Sequence, residues 1–223
     1  YGVQEAMIDL IDQPAVITAA VQRIVAASLK ELDQLESLGL LTVNTDNTRV
    51  GSGAYGYTSQ FPPEDPGHAP GRAARMWGCS NAQIFSEVSQ EMHWEFALRY
   101  DWPWFERWGL NYYGCCEPLD SKMDIVRRIP RLRKISMNYR IQLDRAAERV
   151  GDAFVFSYKP NPACFATDRW DLAQARDELR RVIERTRGGH LEIVMKDIST
   201  VYYQPQRLSE WAAMAMQEVE AAR

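Results

Sequence analysis

Six short apolar runs alternate with helical patterns, and this alternation constrains the fold more than any other feature of the sequence. The runs begin near residues 40, 75, 110, 134, 154 and 191. Between them apolar residues recur at helical spacing, as in Met7, Ile8 and Ile11, then Val16, Ile17, Ala20, Val21, Ile24 and Val25. Short buried strands separated by crossover helices are the pattern of a parallel α/β sheet. Such strands should pair in sequential order with right-handed crossovers. Each run ends in polar or thiol groups, and each helix ends in a glycine or a basic turn. That asymmetry points to a (β/α) barrel with its site on the carboxyl face of the strands. An open doubly wound sheet is the alternative. A closed barrel needs eight strands. Six therefore imply a partial barrel lacking its N-terminal strands, read as a single domain over residues 1–223.

Local signals place the elements. Val3 to Leu41 reads as helix, with Pro14 where a second helix can begin and Gly39 at the end. Leu40 to Val43 then reads as a strand running into Asn44 and Asp46. Residues 50–71 are rich in Gly, Pro and Ser without any period, so they read as a long loop. Tyr55, Tyr57 and Phe61 within it argue for an ordered lid. Its GSGAYG lacks the strand–turn–helix frame of a phosphate loop. Ser89 is an N-cap, and Met92, Phe96 and Tyr100 share a helix face. Pro103 kinks that helix or starts another. His93 reads as a helix-packing residue. Further helices are expected from Met123 to Arg128 and from Ile141 to Val150, the latter ending at Gly151. Another runs from a cap at Thr167 or Asp168 to Arg187, and a last one from a cap at Ser209.

The formal net charge of −4 argues against nucleic acid or an anionic membrane as partner, despite one basic run from Arg127 to Lys134. No apolar run is long enough to span a bilayer, and no signal peptide is visible. Four cysteines, two of them adjacent, do not form a disulfide framework and fit a reducing cytoplasm. The chain opens without Met inside a helix. The expectation is a segment of a longer protein, completed by the missing N-terminal part or by a second chain.

The chemistry concentrates in WGLNYYGCCEPLD, Trp108 to Asp120. A strand-type run, Leu110 to Tyr113, delivers Gly114, Cys115, Cys116, Glu117 and Pro118 before the next helix. Two thiols and a carboxylate just past a strand's carboxyl end can bind a soft divalent metal. Adjacent cysteines are equally consistent with small buried hydrophobes beside a turn. Cys115, Cys116 and Glu117, with Cys164 from a later loop, are the candidate zinc ligands. Asn44, Asp46, Trp77 and Tyr113 are candidate substrate contacts at or beside strand ends. Lys159, Asn161, Lys196 and Asp197 follow the two later strands and supply candidate acids, bases and hydrogen-bond donors for a small-molecule substrate.

The segment SQEMHWEFALRYDWPWFERWGLNYYGCCEPL resembles the helix–strand segment of the uroporphyrinogen decarboxylase (URO-D) superfamily, which also holds the cobalamin-linked methyltransferases. MKDISTVYYQPQRLSEW resembles that superfamily's last strand and final helix. The likeness is strongest over residues 75–120 and 190–215, and is nearest to a branch carrying YGCCEP. It implies the carboxyl-terminal two-thirds or so of a TIM barrel. It implies methyl transfer between a small methylated substrate and a corrinoid carried by a partner protein, activated by a thiolate-bound zinc. The alternatives it implies are metal-free decarboxylation of a tetrapyrrole or related carboxylic acid, and non-catalytic binding of a corrinoid or tetrapyrrole. The chain departs from the zinc methyltransferases in carrying Tyr113 where their strand has His, and in lacking a Cys near Val201. It also lacks the decarboxylases' N-terminal arginine-rich segment and Asp.

Overall fold

Residues 77–193 supply five strands, and every neighbouring pair among them is parallel. The structure is a computed structural model that describes residues 2–61 and 72–222. Two helices come first, α1 (Val3–Asp12) and α2 (Pro14–Ser37). A small antiparallel hairpin follows, β1 (Arg49–Val50) and β2 (Ala54–Tyr55). The main sheet comprises β3 (Trp77–Ser80), β4 (Leu110–Tyr113), β5 (Leu132–Asn138), β6 (Val155–Lys159) and β7 (His190–Ile193), ordered β3-β4-β5-β6-β7. Between the strands lie α3 (Gln90–His93), α4 (Trp102–Phe105), α5 (Met123–Val126), α6 (Leu143–Val150) and α7 (Leu172–Arg185), and α8 (Gln206–Ala221) closes the chain. A π-helical turn, Trp94–Leu98, extends α3, and its wider spacing lets Phe96, Ala97 and Leu98 all be buried.

The two faces of the sheet differ in chemistry. Alternate residues of a strand share a face. Ile135, Met137, Phe156 and Tyr158 face the helices and join the largest apolar cluster, with Leu119, Val126, Leu179 and Met214. The register then puts Lys134, Ser136, Asn138, Ser157, Lys159 and Glu192 together on the other face. The β1–β2 hairpin lies against this polar face. Its Tyr55 carbonyl accepts from Lys134 Nζ, and its Tyr55 amide donates to Glu192 Oε1 at 3.0 Å.

Several expectations are met. The strands near 75, 110, 134, 154 and 191 form and pair in sequential order. Gly39 ends the second helix with φ 64°, Ser89 caps α3 through Met92 N, and Pro103 sits in the first turn of a separate α4. Others are corrected. No strand forms at 40–43. The chain there meets β3 at Asn44, whose side-chain amide makes both bonds a strand would make, from Nδ2 to Trp77 O and to Oδ1 from Trp77 N. The following backbone bonds to itself instead, Gly56 N to Thr48 O and Thr58 N to Thr45 O. The expected lid therefore begins as the hairpin, and residues 62–71 of it lie outside the described residues. Asp171, not Thr167 or Asp168, caps α7 through Ala173 N, because the intervening residues are taken up by a 3-10 turn at Pro162–Ala166 and its exit. Ser209 lies inside α8, where its hydroxyl donates to Gln206 O rather than capping the helix.

Candidate active site

The loop after β4 is fixed by its own carboxylate. Gly114 takes φ 99°, a conformation that favours glycine, and a Cβ there would stand 2.6 Å from Leu119 Cδ1. Glu117 then turns back fully buried. Its Oε2 accepts from Cys115 N at 2.8 Å and its Oε1 from Ala82 N at 3.4 Å, joining the loops after β3 and β4. Side chains of β5 hold the carbonyls of the same loop. Ser136 Oγ donates to Cys115 O, and Asn138 Nδ2 donates to Cys116 O together with Arg140 Nη2 at 3.1 Å.

Held in this way, the two thiols lie side by side, with Sγ atoms 3.6 Å apart. Cys116 Sγ receives a hydrogen bond from Lys196 Nζ at 3.0 Å and donates one to Asp197 Oδ2 at 3.1 Å. Lys196 also bonds Asp197 directly. Burial pushes the Cys116 thiol up to about 11, with Asp197 and Cys115 adding to the rise and Lys196 opposing it. The group is therefore a neutral thiol at pH 7. Burial draws Lys196 down, but its bonds to Asp197 and Cys116 outweigh that and hold its ammonium well above the usual range. The hydrogen bond from Lys196 lowers Asp197. Asp197 adopts φ 60°, an uncommon conformation for a residue with a side chain, and one that concentrates at functional sites.

A second lysine lies at the end of β6. Lys159 is 3% exposed, and its Nζ donates to Ser157 Oγ at 2.6 Å and to Ser157 O at 3.0 Å. It stands 5.3 Å from the centre of the Tyr112 ring, over its face. Ser157 Oγ in turn donates to Glu192 Oε2 at 2.7 Å, and Glu192 Oε1 accepts from Lys134 Nζ at 3.1 Å. Burial pulls Lys159 down to about 7, against the charge of Glu192. Drawn down toward neutrality, it can give or take a proton at working pH.

A buried polar relay is anchored on the neighbouring elements. His93 Nε2 lies 2.6 Å from Tyr113 Oη, and His93 Nδ1 lies 3.3 Å from Lys122 Nζ. Lys122 also donates to Phe85 O and Ser86 O. An ammonium has no lone pair to accept with, so His93 Nδ1 is the acceptor and Nε2–H donates to the tyrosine. Burial, then the charge of Lys122, pulls His93 down to about 4. Between pH 4 and 6.5 the unfolded chain binds a proton at this residue that the folded chain does not. Stability contributed by the site should therefore rise with pH across that window, by about 3 kcal/mol, and be complete above it. Asp101 acts in the opposite sense, because burial pushes it up to about 6 against the hydrogen bond from Ser80. Urea titrations from pH 4.5 to 7 on the parent and on His93→Gln isolate the histidine. The parent should lose stability relative to the variant as the pH falls.

The structure brings some of the expected residues together and separates others. Cys115, Cys116, Lys196 and Asp197 converge, with Lys159 near enough to feel the charges of Lys196 and Cys115. Cys164 does not join them. It lies in the 3-10 turn after β6 and packs against the apolar cluster on the helix side, where burial and then Glu178 raise its thiol. Asn161 caps that same turn through Ala163 N, and its own amide donates to Glu178. Asn44 completes the edge of β3, and Asp46 accepts from Thr48 N and Oγ1 in a local turn. Trp77 is buried with Nε1 donating to Gly56 O, and the Tyr113 hydroxyl bonds His93. Ser136, Asn138, Ser157 and Glu192 are not singled out in the sequence, and Lys134 only as the end of a basic run. Their signal was there as polar residues at every second position of apolar strands, a spacing that marks one face.

Among the described residues, no group of three or more His, Cys, Asp or Glu side chains is placed to hold a metal ion. Among them, too, no single helix is long and apolar enough to cross a membrane, and α1 with α2 passes such a test only as a pair bent by 118°. The four cysteines are free. Comparison with protein-family models, with curated proteins and with solved structures finds no match to this chain.

Proposed function

We propose that the chain carries the carboxyl-end site of a URO-D-like barrel enzyme that decarboxylates a carboxylic acid of the tetrapyrrole or related class without a metal. The reading rests on one observation, the Lys196 ammonium bonded to both Cys116 Sγ and Asp197 Oδ2, with buried Lys159 near by. The Cys116 thiol is already bonded to that ammonium and to Asp197, and Glu117 already accepts from two backbone amides. In the proposed reaction Lys196 and exposed Arg140 hold the substrate carboxylates. The C–CO₂ bond breaks and its electron pair remains on carbon. That carbon takes a proton from the Lys159 ammonium, and CO₂ leaves. Lys159 then regains its proton from solvent. A buried lysine whose pKa is drawn down toward neutral pH suits the transfer.

The test uses chelator-treated protein and uroporphyrin, a carboxylated tetrapyrrole, as probe. Quenching of tryptophan fluorescence should saturate, and Lys196→Met should weaken binding by about tenfold, roughly the loss of one charge-assisted contact. Binding that is absent, or is as tight in Lys196→Met as in the parent, sinks the reading. Zinc retained at one ion per chain and lost in Cys116→Ser would favour methyl transfer with a corrinoid protein instead.

A further inference from the structure

A cavity lies away from Cys115 and Cys116, between α2 and the carboxyl end of β3, with Cys79 on its lining. Its volume is about 410 Å³, within the range of small-molecule sites. Val21, Ile24 and Val25 of α2 form one wall, and Phe85, Phe96 and Trp104 form the other. Ile24 is 65% exposed although it faces this apolar surface. Asp101 is the carboxylate on the lining. It precedes α4 at the position where an Asp ordinarily caps a helix, yet its side chain makes no cap bond. It accepts instead from Ser80 Oγ at 2.6 Å. Among the described residues no cation pairs with it. A half-buried carboxylate without a positive partner is costly to keep ionised, and a cation from outside would relieve that cost.

We propose that this cavity binds a small amphiphilic ammonium ion, an amine with an apolar body, whose charge pairs with Asp101. The apolar walls take the body of the ligand. The carboxylate takes the ammonium, and the indole of Trp104, on the same lining, adds a further attraction for a cation. A neutral ligand of the same shape gains the first contribution and not the second. An anionic ligand is repelled. This inference does not depend on the chemistry at Cys116 and Lys159.

The experiment is calorimetric titration of the intact protein with benzylamine and with benzyl alcohol, which match in shape and differ in charge. The parent should bind the amine at least about tenfold more tightly, the order of one desolvated ion pair. Asp101→Asn keeps an acceptor for Ser80 and removes the charge, so it should abolish the preference. Val25→Trp fills the cavity and should remove binding of both probes. Thermal melts establish that each variant is folded, and if Val25→Trp is not, the parent and Asp101→Asn decide the matter. Equal affinity for the two probes, a preference that survives in Asp101→Asn, or no saturable binding would each overturn the proposal.

Discussion

Lys159→Met should make the protein more stable at pH 7 and remove the proton donor of the proposed decarboxylation. Burial pulls Lys159 from the usual lysine range down to about 7, so the folded chain holds this ammonium against a solvation penalty. Methionine fills a similar volume without a charge to desolvate. Replacing a buried ion by an apolar side chain of similar size is often stabilising by 1–4 kcal/mol, and about 2 kcal/mol is expected here, since the bonds to Ser157 are lost as well. The sign of the pH dependence follows from the lowered value. Between pH 7 and about 10 the unfolded chain keeps a proton that folded Lys159 gives up. Stability of the parent therefore rises with pH through that range, by about 4 kcal/mol from this residue, and Lys159→Met lacks the rise. Guanidinium titrations of both proteins at pH 7 and at pH 9.5 measure the difference. A variant that is less stable at pH 7, or that shows the same pH slope as the parent, would place Lys159 in a purely structural role.

Glu117→Ala should act in the other direction, with a cost of about 3 kcal/mol. The substitution leaves the amides of Cys115 and Ala82 buried without acceptors, and charge-assisted bonds of this kind contribute about 1.5–3 kcal/mol each. It also frees the loop that holds the thiols. Cys115 and Cys116 should then react faster with a thiol reagent such as dithiobisnitrobenzoate, by about tenfold or more, because local opening becomes easier. Glu117→Gln keeps an acceptor and should recover most of the stability. If alanine and glutamine cost the same, the carboxylate does not act through those amides. If neither variant alters thiol reactivity, the loop does not depend on Glu117.

Both effects come from residues whose roles differ in how readily the sequence reveals them. Lys159 closes a strand-type run, and its place at a carboxyl end is legible from the alternation of patterns. Its tuning is not legible, because the value near 7 depends on burial against Tyr112 and on Glu192 of β7, separated in sequence by all of α7 but next door in the sheet. Glu117 was read as a candidate metal ligand from its distance of two residues from Cys115. That spacing relies on a continuing strand, but β4 ends at Tyr113 and residues 115–117 bend, so the carboxylate points back at its own loop. The acid that does reach the thiols, Asp197, comes from 81 residues away.

Local physics is written in the sequence, and it sufficed for much of the fold. Helix periodicity, the cap at Ser89, the stops at Gly39 and Gly151, the helix start at Pro103 and the five sequential strands each depend on a few adjacent residues, so their signals survive without tertiary contacts. What depends on several distant segments at once was decided by the tertiary structure. Asn44 takes the place of a strand because one side-chain amide reaches Trp77 while the following backbone folds on itself. Arg207 is fully buried in α8 because three carbonyls of the segment after β6 and the rings of Trp170 and Tyr202 surround it. The thiol–ammonium–carboxylate cluster likewise exists only once register sets β4 through β7 side by side. Spacing along the chain reports which residues share a face of one element, but only packing decides which elements present those faces to each other.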